Sequence, residues 1–351
     1  MLHHPRYAAH SAPEAKEEES VIRNQWYVVL ESDEIGRRPV GVRRMGEDLV
    51  FWRDANRRLH CCQDRCVHRG VRLSGGQTMG DRLQCPFHGF EYDGNGRVQR
   101  IPANGRTAEV PKAFKVRAYP VHEAQGFVWI WWGEPGREPP GQPEFFRDLG
   151  PGLSYASARD PWRAHYSRVI ENQLDVVHLP FIHHNSIGRG GRTVIDGPGL
   201  AWVGPSAFEV YPSNRVDDGR PPIRPSDFQR PPHQVFKLEF IFPNLWQNYI
   251  DERMRIVAAF VPVGEESTIL YLRFYQGLVR FPVVRGLVNR LAMPFNLYVA
   301  HQDRRVVETH SPEASRLRSG EQLIHGDHPI VEYRRRRAEL MQEAAGEAGD
   351  A

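Results

Sequence analysis

Two short pairs, Cys66-Val-His68 and Cys85-Pro-Phe-His88, constrain this chain more than any other feature. Sixteen residues separate them, and each follows a strand-like run, so each sits on a turn. Two thiols and two imidazoles form a set compatible with tetrahedral zinc or with an iron–sulfur cluster held by two Cys and two His. Zinc modules usually pair Cys with Cys and His with His. Here each loop supplies one of each, which lets one iron take both sulfurs and the other both imidazoles. Gly70, Gly75, Gly76, Gly80 and Gly89 allow tight loops whose N–H groups can point at cluster sulfurs. All four cysteines fall within 25 residues, and such clustering favours metal binding over a disulfide framework. Cys61 and Cys62 lie on the preceding strand and read as small core residues.

The runs around these pairs are short and rich in β-branched and aromatic residues, from NQWYVVL (Asn24 to Leu30) to FKVRAYPVHEAQGFVWIWWG. Asp, Asn and Gly punctuate them as in hairpins, so the first domain reads as all-β. GEPGREPPGQP (Gly133 to Pro143) is a Pro/Gly-rich linker. The expected division is a disordered N-terminus over 1–22, a first domain over 23–138 and a second over 139–351. A length of 351 residues, 40% hydrophobic and 25% charged, suits a soluble globular protein of one large or two ordinary domains. The net charge of +3 gives no global field for nucleic acid. No apolar run approaches the ~20 residues that span a bilayer. The N-terminal stretch has no apolar core of a secretory signal, so a cytoplasmic location is expected.

A second constellation lies in ENQLDVVHLPFIHHN, Glu171 to Asn185. The sequence reads as a helix from Trp162 to His178, with Asp175 and His178 one turn apart on one face. Glu171 extends that polar stripe, and Val169, Ile170, Leu174, Val177 and Leu179 crowd it. Polar groups held among apolar ones need partners. Pro180 breaks the pattern and lets His183 return from the next turn. Two imidazoles in this setting suit iron, zinc or copper. Several strands are expected between Trp202 and Phe274, with Phe236, Leu238, Phe240 and Phe242 on one face. Arg285 to His310 returns to helix, where Val299, Asp303, Val306 and Val307 share a stripe. Asp303 on that apolar face must meet a cation, either a metal or an ordinary partner such as Arg304 or Arg305.

CVHRGVRLSGG with LQCPFHGFEYDGNGRVQRIP resembles the Rieske domain of the Rieske non-haem iron oxygenases, and ENQLDVVHLPFIHH resembles that family's mononuclear-iron motif. The resemblance runs from about Asn24 to Ser311. It implies an α+β chain: an N-terminal all-β Rieske domain followed by a helix-grip catalytic domain of antiparallel sheet plus helices. It implies a Rieske 2Fe-2S cluster on Cys66, His68, Cys85 and His88. It also implies a mononuclear non-haem Fe(II) on His178, His183 and Asp303, the last in the family's Gln-Asp context. Asp175 matches the residue that bridges the cluster of one subunit to the iron of its neighbour in a homotrimer, with Glu171 as a helper.

No Gly-rich dinucleotide fingerprint is present, so electrons from NAD(P)H would arrive through a separate reductase and/or ferredoxin. The implied activity uses O2 to hydroxylate or O/N-dealkylate a small organic substrate, in the monooxygenase and demethylase branch. The alternatives are a ring-dihydroxylating dioxygenase alpha subunit and, more distantly, a Rieske electron carrier. No nucleic acid or membrane partner is expected. Trp246, Asn248, Tyr249 and Met254 are candidate pocket residues. YRRRRAEL reads as a solvated basic face, with reductase docking as its functional alternative.

Overall fold

The computed structural model describes residues 21–349 apart from 135, 151 and 280. The expectation of a disordered N-terminus lies outside the described residues as far as Ser20, whereas Ile22 is only 1% exposed and joins the core. The first part is all strand: β1 Gln25–Glu31, β2 Val40–Arg44, β3 Glu47–Arg53, β4 Leu59–Gln63, β5 Gln77–Met79, β6 Arg82–Gln84, β7 Glu91–Tyr92, β8 Val98–Arg100, β9 Val121–Ala124 and β10 Phe127–Trp132. They form three antiparallel sheets, in the orders β1-β10-β9, β2-β3-β4 and β5-β6-β7-β8. The loop after β4 carries Cys66 and His68, and the loop between β6 and β7 carries Cys85 and His88.

The second part opens with β11 Ser154–Trp162, then α1 Tyr166–Leu174 and α2 Leu179–Ile182. Six further strands, each paired with the next, build the sheet: β12 Val194–Trp202, β13 Ala207–Arg215, β14 Lys237–Ile241, β15 Leu245–Asp251, β16 Met254–Gly264 and β17 Ser267–Gln276. The order β11-β17-β16-β15-β14-β13-β12 is antiparallel throughout. Helices α3 Pro282–Val307 and α4 His328–Gly349 complete the chain.

Strand alternation explains why the middle of this sheet is apolar at nearly every position. Phe240, Ala258, Phe260, Leu270 and Leu272 point to the helices and meet Val169, Ile170, Leu174 and Tyr333. Ile241, Val257, Ala259, Val261 and Ile269 point the other way and meet Val28, Phe127 and Trp129 of the first part. Both faces are covered, so both sets of alternate residues must be hydrophobic. Polar groups secure this junction. The Asn244 amide spans to the Val28 carbonyl at 3.0 Å, and buried Arg273 holds Glu31, with Nε 2.9 Å from Oε1.

Two local expectations need correction. Trp162 ends a strand, and the helix read as Trp162 to His178 runs only from Tyr166 to Leu174. The run YRRRRAEL is only partly a solvated face. Arg335 and Arg336 are neutralised by Glu332, Glu339 and Glu343, while Arg334 and Arg337 turn inward and are buried. Arg334 grips Glu171 of α1 at 2.6 and 3.0 Å and Glu321 at 2.7 Å. Arg168 joins the same two carboxylates at 2.9 and 2.8 Å. Four buried or half-buried charges thus satisfy one another and pin α4 to α1.

Removing Arg334 leaves two carboxylates to Arg168 alone, with one negative charge uncompensated. Arg334→Met is expected to cost about 3–5 kcal/mol of stability, the usual penalty for an uncompensated buried charge. Urea unfolding followed by far-UV circular dichroism measures it.

Candidate metal centres and the cavity beside them

Helix α1 stops at Leu174 because Asp175 offers the backbone a better local arrangement. Its backbone is extended, at φ −69° and ψ 127°. Its Oδ1 accepts the N–H groups of Val177 at 2.6 Å and His178 at 3.3 Å, an Asx turn that competes with helix continuation. Its Oδ2 lies 3.5 Å from Nδ1 of His178. Burial pushes the Asp175 carboxyl up, but His178 and the two N–H groups more than offset this and leave it below its ordinary range. Asp175 and His178 therefore meet through a turn and not, as the sequence reading had it, on one face of a helix. The single turn of α2, with Pro180 in its first positions, then sets His178 at its start and His183 just past its end. The two rings stand 5.2 Å apart, centre to centre.

Asp303 reaches them from α3. Its Oδ1 lies 3.0 Å from Nε2 of His183 and 3.5 Å from Nε2 of His178. Among the described residues these three form the one group of His, Cys, Asp or Glu whose ligand atoms converge, all within 4.8 Å. Ligands on adjacent positions around one ion with ~2.1 Å bonds sit about 3 Å apart, so the spacing fits a single metal. The donor set and its surroundings agree. Asp303 is 3% exposed, yet Oδ1 has no well-formed hydrogen bond, and a buried carboxylate oxygen left that way calls for a cation. Arg304 does not supply it, since it turns to Asp160 at 2.8 Å. Two imidazoles and one carboxylate on one side of an ion are the arrangement that leaves positions open on the other.

Gln302, which the sequence reading used only as context, has its own task. Its Oε1 stands 2.9 Å from Nδ1 of His183 and also accepts from Ser186 at 2.8 Å, while its Nε2 donates to Asn185 at 2.8 Å. This fixes which ring nitrogen of His183 carries the proton and leaves Nε2 free to ligate. Burial lowers the His183 pKa, but Asp303 and Gln302 together bring it above the ordinary value. The neighbouring pair Gln302-Asp303 was visible in the sequence, but which nitrogen it would lock was not. Glu171, expected as a helper, instead belongs to the arginine network and touches the site only through the helix it anchors.

The Cys/His loops are near copies of one another. In each, a glycine N–H returns to the cysteine carbonyl four residues back, Gly70 to Cys66 at 2.8 Å and Gly89 to Cys85 at 3.1 Å. Both glycines need positive φ, 72° and 71°, which explains their residue type. Cys66 and Cys85 are buried, whereas His68 and His88 are exposed with their Nδ1 atoms 3.1 Å apart. The four do not gather on one point as tetrahedral zinc requires. Sulfurs inside and imidazoles outside fit the two irons of a 2Fe-2S cluster. Cys61 and Cys62 are buried on β4, and burial pushes both thiols up, as befits inert core residues. Tyr92 donates from its buried hydroxyl to Sγ of Cys66 at 3.1 Å and accepts the N–H of Val67 at 3.0 Å.

A cavity of about 540 Å³ opens between the helices and the sheet, lined by Asp175, His178, His183 and Asp303 on one side. Leu238, Ile256, Leu270 and Phe274 make its apolar floor. Of the four residues proposed from sequence, Trp246 and Asn248 line it. Tyr249 and Met254 do not; Tyr249 points to the opposite face, where the Arg255 guanidinium stacks 3.3 Å above it. Asn172 and Gln173 also line it and were not anticipated.

The Tyr92 hydroxyl favours the more negative, reduced state of anything bound through Cys66. Tyr92→Phe should lower the reduction potential of the Rieske centre by roughly 20–60 mV, the equivalent of one neutral hydrogen bond. Protein-film voltammetry reads this directly.

Comparison with known proteins agrees with this geometry. The Rieske 2Fe-2S domain profile matches residues 25–120, and that of the vanillate O-demethylase oxygenase C-terminal domain matches residues 162–343. The chain is 31% identical to protein TIC 55 of Pisum sativum chloroplasts over 45% of its own length and 29% of that protein's. It is 29% identical to the dicamba O-demethylase oxygenase component of Stenotrophomonas maltophilia over 60% of each. These matches span less than two thirds of either relative. The fold is that of Pseudomonas putida CBB5 NdmA, solved as a QL mutant with theobromine, at a TM-score of 0.73 and 23% identity over 91% of both chains. With an all-β domain matching the Rieske profile and over half its length matching the second, the chain belongs to the Rieske non-haem iron oxygenases of the vanillate O-demethylase type.

Proposed function

We propose that this protein is the terminal oxygenase component of a demethylase or monooxygenase system acting on a small aromatic substrate. The observation that carries the reading is the two-histidine, one-carboxylate group lining a largely apolar cavity, in the same chain as the paired Cys/His loops. An electron carrier has no use for such a cavity. When bound, a 2Fe-2S cluster on Cys66, His68, Cys85 and His88 supplies single electrons, and an iron on His178, His183 and Asp303 activates O2. Relatives support the class: one is named for O-demethylation of dicamba, and a structural neighbour was solved with theobromine.

In this reading, Gln302 holds His183 in the ligating tautomer and Asp175 orients His178. The apolar floor excludes water and seats the substrate ring. The exposed edges of His68 and His88 are where electrons enter and leave. A separate NAD(P)H-dependent reductase, with or without a ferredoxin, supplies them. The working unit is a homotrimer in which Asp175 joins one subunit's cluster histidine to its neighbour's iron histidine. Residues 23–138 and 139–351 are the two functional domains and the location is cytoplasmic; no helix among the described residues is long and apolar enough to cross a membrane.

Protein purified without air should hold about three irons and two labile sulfides per chain. His178→Ala and Asp303→Ala should each remove about one iron and all product while leaving the visible Rieske spectrum intact. Stoichiometric zinc without sulfide would end this reading.

Asp175→Asn separates a bridge from a ligand. Iron content and reduction of the cluster should stay near wild type. Product from pre-reduced enzyme in a single turnover with substrate and O2 should fall more than about 100-fold, beyond the usual effect of loosening a ligand. Loss of iron with recovery on added Fe(II) would make Asp175 a ligand instead.

A further inference from the structure

The cavity contains more hydrogen-bonding capacity than the protein uses. Asn214 spends its amide on the Val176 carbonyl at 3.1 Å, and Asn296 spends its own on Ala292 at 2.9 Å. Gln173 leans toward Asp303 at 3.5 Å. Three other lining groups have no such outlet: Nδ2 of Asn172, Nε1 of Trp246 and Oδ1 of Asn248 are buried without a partner among the described residues. Asn172 and Trp246 are only 7% and 5% exposed. Trp246 and Asn248 are two apart on β15, so they present to the same face. Opposite them across the ladder stand Phe240 and Ala258, then Leu238 and Ile256, which offer only carbon. Asn172 comes from the last turn of α1, three residues before Asp175. A buried polar atom without a partner is costly, and a site that retains several is shaped for a ligand that satisfies them.

Charge narrows the ligand further. The charged side chains lining the cavity are Asp175 and Asp303, beside the metal position, and Arg189 and Arg192, both exposed. Arg189 is already held by the Asn185 carbonyl at 3.0 and 2.7 Å. Among the described residues, the cavity is lined by no lysine and by no buried arginine beside Trp246 and Asn248. A carboxylate there would be buried without a counter-charge.

Resting on the oxygenase reading above, we infer that the substrate is an uncharged, planar one- or two-ring molecule bearing an amide-like edge, a carbonyl beside a ring nitrogen, with its methyl group on a heteroatom. Trp246 and Asn172 donate to the carbonyl, the ring N–H beside it donates to Oδ1 of Asn248, and the methyl is turned toward His178, His183 and Asp303. A cavity of about 540 Å³ suits a molecule of that size. Asn172, Trp246 and Asn248 are specificity-determining residues in this assignment.

The test uses three two-ring probes and the iron-loaded full chain without O2, so that binding is read apart from turnover. They are 6-methoxy-2(1H)-quinolone, whose ring N–H and carbonyl form the edge, 2-methoxynaphthalene and 6-methoxy-2-naphthoate. Isothermal titration should give a Kd for the quinolone at least about tenfold below those of the other two. Trp246→Phe and Asn248→Leu should each reduce that preference about 5- to 10-fold and leave 2-methoxynaphthalene within twofold of wild type. Equal or absent binding of the quinolone overturns the inference. So does tighter binding of the naphthoate that Arg192→Ala abolishes, which would assign an anionic substrate held at the rim. Adding reductase, NADH and O2 afterwards asks a separate question. Selective quinolone binding with no formaldehyde released from any probe would sink the oxygenase reading and leave the recognition site standing.

Discussion

A single buried carboxylate oxygen sets the terms for the second domain. Oδ1 of Asp303 faces two imidazole nitrogens inside the protein with no well-formed hydrogen bond of its own. Such a group is tolerable only beside a cation, and the fold is arranged so that the cation can be a metal and not a side chain. Arg304, next in sequence, is drawn away by Asp160, and Gln302, just before it, occupies the far side of His183. Three side chains, two flanking α2 and one on α3, must converge for this to work. The arginine–glutamate network beneath α1 and the Asx turn at Asp175 are what hold two of them in place.

How far the sequence disclosed this depends on the range over which each feature is determined. The Cys/His loops were legible because their ligands are two or three residues apart and their glycines are local needs of the backbone. Asp303 was legible as a carboxylate out of place on an apolar helical stripe. The end of α1 was not, because Val169, Ile170, Leu174, Val177 and Leu179 continue a helical pattern across a point where the Asp175 side chain captures the backbone instead. Glu171 looked like part of the metal stripe, but its partner Arg334 is 163 residues away, and pattern alone cannot report such a pairing. The same distance hid the inward turn of Arg334 and Arg337. Strand alternation, applied strictly, would have separated Trp246 and Asn248 from Tyr249, since neighbours on a strand cannot share a face.

The seven-stranded sheet joins the two halves of the molecule mechanically. Its helix-side residues form the floor of the cavity, and its other side is the wall against which β1 and β10 rest. A residue such as Phe260 and its neighbour Val261 therefore serve different domains from adjacent positions. Buried Arg273, bound to Glu31 across this wall, keeps the first domain from sliding over the sheet. The cluster loops belong to sheets beyond this contact, with Cys66 and Cys85 in a core of their own beside Leu73, Leu83 and Tyr92.

Helix α3 is continuous from Pro282 to Val307, but Pro294 interrupts its hydrogen bonding, since a proline nitrogen has nothing to donate to the carbonyl one turn earlier. The interruption divides the helix by duty. Gln302 and Asp303, two turns beyond it, are tied to the histidines that flank α2, whereas Ala292, Phe295 and Asn296 border the cavity at the joint itself. Leu287 and Leu291, on the turns before it, are 58% and 69% exposed and bear little load. The missing bond leaves the Arg290 carbonyl without its helical donor, so the helix is least reinforced where it borders the cavity. One helix thereby carries the metal-facing carboxylate well away from its interruption and a wall of the cavity at it.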